Sequence, residues 1–161
     1  MKLDELIKKA RERDLSDASA LQDLFDVCRL YESENFEEAH SVNKEVRRLS
    51  AKYAKEQNSF KMFDLNKRSL LFDAPYDFDA AIRYAEWDRE PKKKFYMPRR
   101  KQLLPVVKAM QRLSERKIRI LGVMAPPGVG KTTIELMFMV MEGLKNPDLS
   151  ILMGSHSNSF L

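Results

Sequence analysis

Nine consecutive residues carry the densest chemistry in the chain: Ala125-Pro126-Pro127-Gly128-Val129-Gly130-Lys131-Thr132-Thr133. Two glycines, a lysine and two hydroxyls stand at the spacing of a phosphate-binding loop, with alanine in the place of the first glycine. A polyphosphate needs several donors converging on one point, and backbone amides converge only where no side chain blocks the curve. Gly128 and Gly130 permit positive φ and close approach, so the amides from Gly128 through Val129 and Gly130 to Thr133 can face phosphate oxygens. Pro126 and Pro127 have no N–H to donate and stiffen the entry. Lys131 is the candidate catalytic cation, a point charge for the β- and γ-phosphates. The Thr132 hydroxyl is the candidate ligand of a nucleotide-bound magnesium ion, which makes ATP and Mg2+ the expected cofactors.

Such a loop works when a strand delivers it and a helix begins where it ends. Ile118-Arg119-Ile120-Leu121-Gly122-Val123-Met124 is a β-branched and aliphatic run that reads as a buried parallel strand. A helix follows over Ile134 to Leu144, apolar on nearly every side and therefore expected to be enclosed. Gly143 and Asn146-Pro147 end it, and Leu149 to Gly154 reads as a second strand. The predicted fold class is thus α/β, with the first β-α-β unit of a P-loop ATPase over residues 118–161. Two strands and one helix are too few for a covered parallel sheet, so the module is expected to be incomplete, without an aliphatic strand ending in Asp-Glu.

The first ninety residues read as an α-helical region. Leu21, Leu24, Phe25 and Cys28 recur on one helical face that Asp14 or Ser16 would cap. Ala39, Val42, Val46, Leu49 and Tyr53 form a packing stripe behind Asn35 as cap and Glu38 as its partner. His40 lies beside that stripe without a second ligand at metal spacing, and reads as a surface or boundary residue. Cys28 points inward as a small hydrophobe. Leu70-Leu71-Phe72-Asp73 imitates an apolar strand ending in a metal-binding aspartate, but its surroundings are helical. Phe78, Ile82 and Ala85 repeat on one further helical face, which Glu90-Pro91 stops, and Trp87 is placed to anchor it.

Charge divides the chain more sharply than the net +5 over 161 residues suggests. Residues 1–90 are net −4, residues 91–119 carry 11 basic residues against one acidic, and the remainder is net −1. The composition changes at Pro91-Lys92-Lys93-Lys94, which marks off residues 91–117 as a basic linker and helix with Leu103, Val106, Val107, Met110 and Leu113 on its buried side and Pro105 early in it. Lys92, Lys93, Lys94, Arg99, Arg100 and Lys101 are candidate contacts to DNA phosphates, the alternative being a solvated face. No apolar run approaches the ~18–20 residues of a membrane span, the amino terminus does not read as a secretory signal, and a single cysteine implies a reducing, cytoplasmic setting.

Three segments in order, Lys94-Phe95-Tyr96-Met97-Pro98-Arg99-Arg100-Lys101-Gln102-Leu103, the Pro126–Thr132 loop and Met153-Gly154-Ser155-His156-Ser157, resemble the large terminase subunit of tailed bacteriophages over roughly residues 91–161. The resemblance implies the amino-terminal part of a DNA-packaging motor, truncated within a RecA-like ATPase of the additional-strand type whose full-length form also carries a metal-dependent nuclease. It implies double-stranded DNA, a small terminase subunit, the portal ring and other copies of the chain as partners, acting in the host cytoplasm during phage assembly. It places Gln102 where the family contacts adenine. Gly128 stands where some relatives carry a basic residue thought to assist hydrolysis, and no nuclease carboxylates are assignable. A helicase-like P-loop ATPase is the alternative enzyme, and a truncated, non-catalytic remnant that only binds nucleotide or DNA is the alternative outside enzymes.

Overall fold

Side-chain caps explain where most of the helices begin in the computed structural model, which describes residues 3–152. After α1 (Leu3–Arg11), the Asp17 carboxylate accepts from the Ala20 amide at 3.2 Å and opens α2 (Ala18–Tyr31). Asp14 is not the cap: it accepts from the Ser16 amide in the preceding turn. The Asn35 side chain accepts from the Glu38 amide and opens α3 (Phe36–Glu56), and Ser59 accepts from the Met62 amide at the head of α4 (Phe60–Asp73). Asp77 caps α5 (Phe78–Ala85) through the amides of Asp79 and Ala80. A single 3-10 turn (Pro91–Lys93) precedes α6 (Tyr96–Ser114), and α7 (Lys131–Lys145) follows the glycine loop.

The chain forms two compact units, Met1–Pro98 and Arg99–Leu161. In the first, α1 packs on α2, α2 on α3 and α4, α3 on α4, and α4 on α5. The predicted stripes are the core: Leu21, Leu24, Phe25 and Cys28 meet Ala39, Val42, Val46, Leu49, Met62 and Leu65. Burying a leucine or phenylalanine contributes about 1.5–3 kcal/mol by transfer alone. The Cys28 thiol donates to the Leu24 carbonyl at 3.2 Å, and burial, followed by the charge of Asp73, pushes its pKa up to about 12.

Beside that core runs a polar seam between antiparallel α3 and α4. The Asn43 amide donates to the Ser69 carbonyl at 3.0 Å, and the Ser69 hydroxyl returns a bond to the Asn43 carbonyl. One turn on, the Asn66 amide donates to the Arg47 carbonyl at 2.7 Å and to the Ser50 hydroxyl at 2.9 Å. At the other end sits His40, which is buried instead of lying at the surface. Its Nδ1 is 2.6 Å from Asp73 Oδ1 and its Nε2 is 3.0 Å from Glu32 Oε1, while Phe36, Phe72 and Tyr76 surround the ring. An imidazolium donates to both carboxylates; the neutral ring has one N–H and satisfies only one. Arg47 Nη2 lies 2.9 Å from the second Asp73 oxygen, an ion contact without hydrogen-bond alignment. Because these partners pair residue by residue, sliding α3 along α4 leaves buried polar atoms unpaired, so the seam sets the register.

The first unit also holds the beginning of α6. Glu86 lies just past α5, and its buried carboxylate accepts from the amides of Phe95, Tyr96 and Met97 at 2.8–3.1 Å. Those are orphan donors of a helix start, where a negative charge is favourable. Tyr96 is fully buried and donates from its hydroxyl to Asp79 at 2.6 Å. Helix α6 thus begins at Tyr96, so Pro105 is interior and not early in the helix; it leaves the Lys101 carbonyl without its usual i+4 donor.

The second unit corrects the expected α/β class. Among the described residues there is no strand, and every regular element is helical. Residues 118–124 are irregular, with Ile120 89% and Met124 99% exposed, and residues 149–152, the described part of the second predicted strand, are irregular as well. An apolar run becomes a strand only when a neighbour pairs its N–H and C=O groups, and among the described residues neither run pairs with the other. Neither the β-α-β unit nor the beginning of a RecA-like sheet is therefore present among the described residues. Helix α7 buries Ile134 and Met141 but leaves Leu136, Val140 and Leu144 exposed, so it is not enclosed as its composition predicts.

Candidate phosphate-binding loop

The segment from Ala125 to Thr133 turns directly into α7. Gly128 has a φ of +78° and Gly130 a φ of +98°, and Gly130 is the residue that caps α7. Side chains with a Cβ avoid this region, so the two glycines are required by the path of the backbone. At Gly128 the requirement is conformational alone, since an added Cβ would meet no atom within 4 Å.

No side chain caps α7. The Ile134 amide donates to the Gly130 carbonyl at 3.1 Å, the first helical bond, whereas the preceding amides of Lys131, Thr132 and Thr133 belong to the turn in which helical N–H groups have no partner within the helix. Lys131, the first residue of α7, curls back so that its ammonium donates to the Ala125 carbonyl at 2.7 Å, six residues earlier. Lys131, Ala125 and Val129 are half-buried, and Thr132 and Gly128 are exposed. The loop thus combines uncapped amides, the positive end of a helix dipole and a cation bonded to nothing stronger than a neutral carbonyl. Negative charge is favoured at such a helix start.

The other predicted site residues are not all gathered there. Gln102 is exposed on α6, and among the described residues no hydrogen bond joins it to the loop. Of the candidate DNA contacts, Lys92, Lys93 and Lys94 belong to the first unit and Arg99, Arg100 and Lys101 to the second. Lys93 pairs with Glu90 at 3.2 Å and Lys94 donates to the Trp87 carbonyl at 3.1 Å. The Met153-Gly154-Ser155-His156-Ser157 segment lies outside the described residues.

Near the end of α6 a second polar group ties the two helices of this unit. The Ser114 hydroxyl donates to Glu142 at 2.7 Å, and Lys145 donates to both. Arg116, with a φ of +56°, follows in the left-handed cap position, and the amides of Arg116 and Lys117 donate to the carbonyls of Leu113 and Arg112. Sequence reasoning missed the His40–Asp73–Arg47 group of the first unit. Its signal was a second helical stripe, His40, Asn43, Arg47 and Ser50, beside the apolar one.

No helix among the described residues is long and apolar enough to cross a membrane, and none of their His, Cys, Asp and Glu side chains gather into a group able to hold a metal ion. Comparison with family models, with curated proteins and with solved structures finds no match to this chain.

Proposed function

We propose that residues 125–133 bind the polyphosphate of a nucleotide, ATP with its magnesium ion. One observation carries this reading: Gly128 and Gly130 both take positive φ immediately before an uncapped helix whose first residue is Lys131. In the proposed complex the amides of residues 128–133 receive phosphate oxygens. Lys131 leaves the Ala125 carbonyl for the β- and γ-phosphates, and the exposed Thr132 hydroxyl meets the magnesium ion. Nothing in the loop replaces a charge-stabilising basic residue at Gly128.

The finer reading is the ATP-binding part of a packaging motor like the large terminase subunit, with double-stranded DNA, a small subunit, the portal ring and further copies of the chain as partners. Its support is the resemblance of residues 94–103 and of the loop. The reading of a binder without turnover draws on a different observation. The described residues form no sheet, whereas a P-loop ATPase holds its water-orienting carboxylate at the end of a strand beside the loop. For the 161-residue chain we therefore favour nucleotide binding without appreciable hydrolysis.

Calorimetric titration with Mg-ATP, alongside phosphate release with and without DNA, tests these readings. Binding that Lys131→Ala abolishes, without turnover, is the expected result. Absence of binding refutes the loop assignment, and robust turnover lost in Lys131→Ala refutes the non-hydrolysing reading while leaving the loop in place.

A further inference from the structure

Three buried side-chain atoms of the first unit have no hydrogen-bond partner among the described residues: Asn43 Oδ1, Arg47 Nη1 and Asp73 Oδ2. Their residues are 0%, 9% and 1% exposed, so bulk solvent does not satisfy them. Unpaired buried groups are rare in folded proteins, and each keeps its full desolvation cost. Three in one cluster point to a shared partner.

Bonds of the polar seam fix where the three atoms stand. The Asn43 side-chain amide donates to the Ser69 carbonyl at 3.0 Å, and Asp73 follows Ser69 by one turn of α4. Arg47 follows Asn43 by one turn of α3. Its side chain leans back toward the N-terminal end of that helix, as helical side chains do, and brings Nη2 within 2.9 Å of Asp73 Oδ2. The guanidinium therefore passes beside Asn43, and Nη1, bonded to the same carbon as Nη2, is carried there with it. The other Asp73 oxygen is held by His40 Nδ1 at 2.6 Å, which keeps the carboxylate from turning away.

The chemistry of the shared partner follows from the atoms it must satisfy. Two are acceptors and one is a donor, so the partner donates twice and accepts once. A metal or ammonium cation has nothing with which to accept the Arg47 N–H, and the guanidinium repels it. A halide has nothing to donate, and Asp73 repels it. Water carries the required set without a charge, and buried waters typically make about three such bonds. We propose that one water molecule is built into the seam between α3 and α4, accepting from Arg47 Nη1 and donating to Asn43 Oδ1 and Asp73 Oδ2. It completes the hydrogen bonding of the residues that set the register and joins the polar stripe of α3 to the carboxylate at the end of α4.

A crystal structure of the full chain tests this directly, by density for a single water within about 3.2 Å of all three atoms. Density without such a water, or with Arg47 Nη1 bonded straight to Asn43 Oδ1, overturns the proposal. Oxygen-17 relaxation dispersion of the solvent, which registers long-held internal waters, tests it in solution. Asn43→Leu keeps the branched shape but puts a methyl group in place of the oxygen, and should lose one internal water relative to the wild type. Asn66→Leu cuts the equivalent bonds to the Arg47 carbonyl and the Ser50 hydroxyl and touches none of the three atoms, so it should keep that water. Circular dichroism checks that both variants retain their helices. Equal dispersion in all three proteins, or an equal loss in both folded variants, overturns the proposal as well. If Asn43→Leu does not fold, the wild-type density alone decides.

Discussion

Replacing Gly130 with alanine perturbs the loop at the point where its geometry is most demanding. Its φ of +98°, beside +78° at Gly128, lies in the region where an L side chain costs about 1–2 kcal/mol. An alanine drives the free loop toward negative φ, and recovering the shape that aims the amides costs that amount on binding. One or two kcal/mol is a factor of roughly 5–30, so Gly130→Ala and Gly128→Ala should each weaken Mg-ATP by that much. The double variant should lose about 30- to 900-fold if the two positions act independently. Gly143→Ala is the control: it lies inside α7 with open space around an added Cβ, and should raise stability by about 0.5–1 kcal/mol without touching affinity. Isothermal titration of the four variants and the wild type, with thermal melts for each, measures all of this. A Gly128→Ala/Gly130→Ala protein that binds like the wild type would show that the positive φ values do not serve phosphate recognition.

Other consequences fall in the first unit. Glu86→Ala leaves the amides of Phe95, Tyr96 and Met97 without their buried acceptor and should cost about 2–3 kcal/mol in a denaturant titration; a loss under 0.5 kcal/mol contradicts the cap. The Cys28 thiol, held near 12 mainly by burial, should react with an aromatic disulfide at pH ~8 only as fast as the protein opens, and any faster labelling of the native state contradicts its placement. Asp17 is held below its ordinary 3.8 by the Ser19 hydroxyl and then the Ala20 amide. A folded pKa lowered in this way contributes stability that is fully present above the ordinary value and is lost as pH falls through the folded one. Melts from pH ~5 down to ~2 should therefore fall less steeply for Asp17→Ser, a cap without a titrating charge, and an identical pH profile counts against the assignment.

The first unit was largely legible because its signals are local. The stripes Leu21–Cys28 and Ala39–Leu49 name their own buried faces, and Asn35 with Glu38 marks a helix start within three residues. What the sequence did not disclose depends on partners distant along the chain. Asp73 looks like a helix-end carboxylate until α3 brings His40 and Arg47 to it, 33 and 26 residues away in sequence. Glu86 reads as one more surface acid until the chain returns ten residues later to lay the beginning of α6 on it. Residues 118–124 failed in the opposite way. Their composition suits a buried strand, but pairing is a property of two segments, and composition does not reveal whether the second is in place. The loop itself was legible down to individual dihedrals, since the glycines at 128 and 130 are where the backbone turns left-handed.

Nitrogen-15 correlation spectra of the 161-residue chain, recorded while Mg-ATP is added, address the phosphate loop most directly. Nucleotide held by the loop should give saturable shifts concentrated in the amides of Gly128, Val129, Gly130, Lys131, Thr132 and Thr133, and none in Lys131→Ala. Shifts confined to the first unit, or no change at millimolar nucleotide, would contradict it.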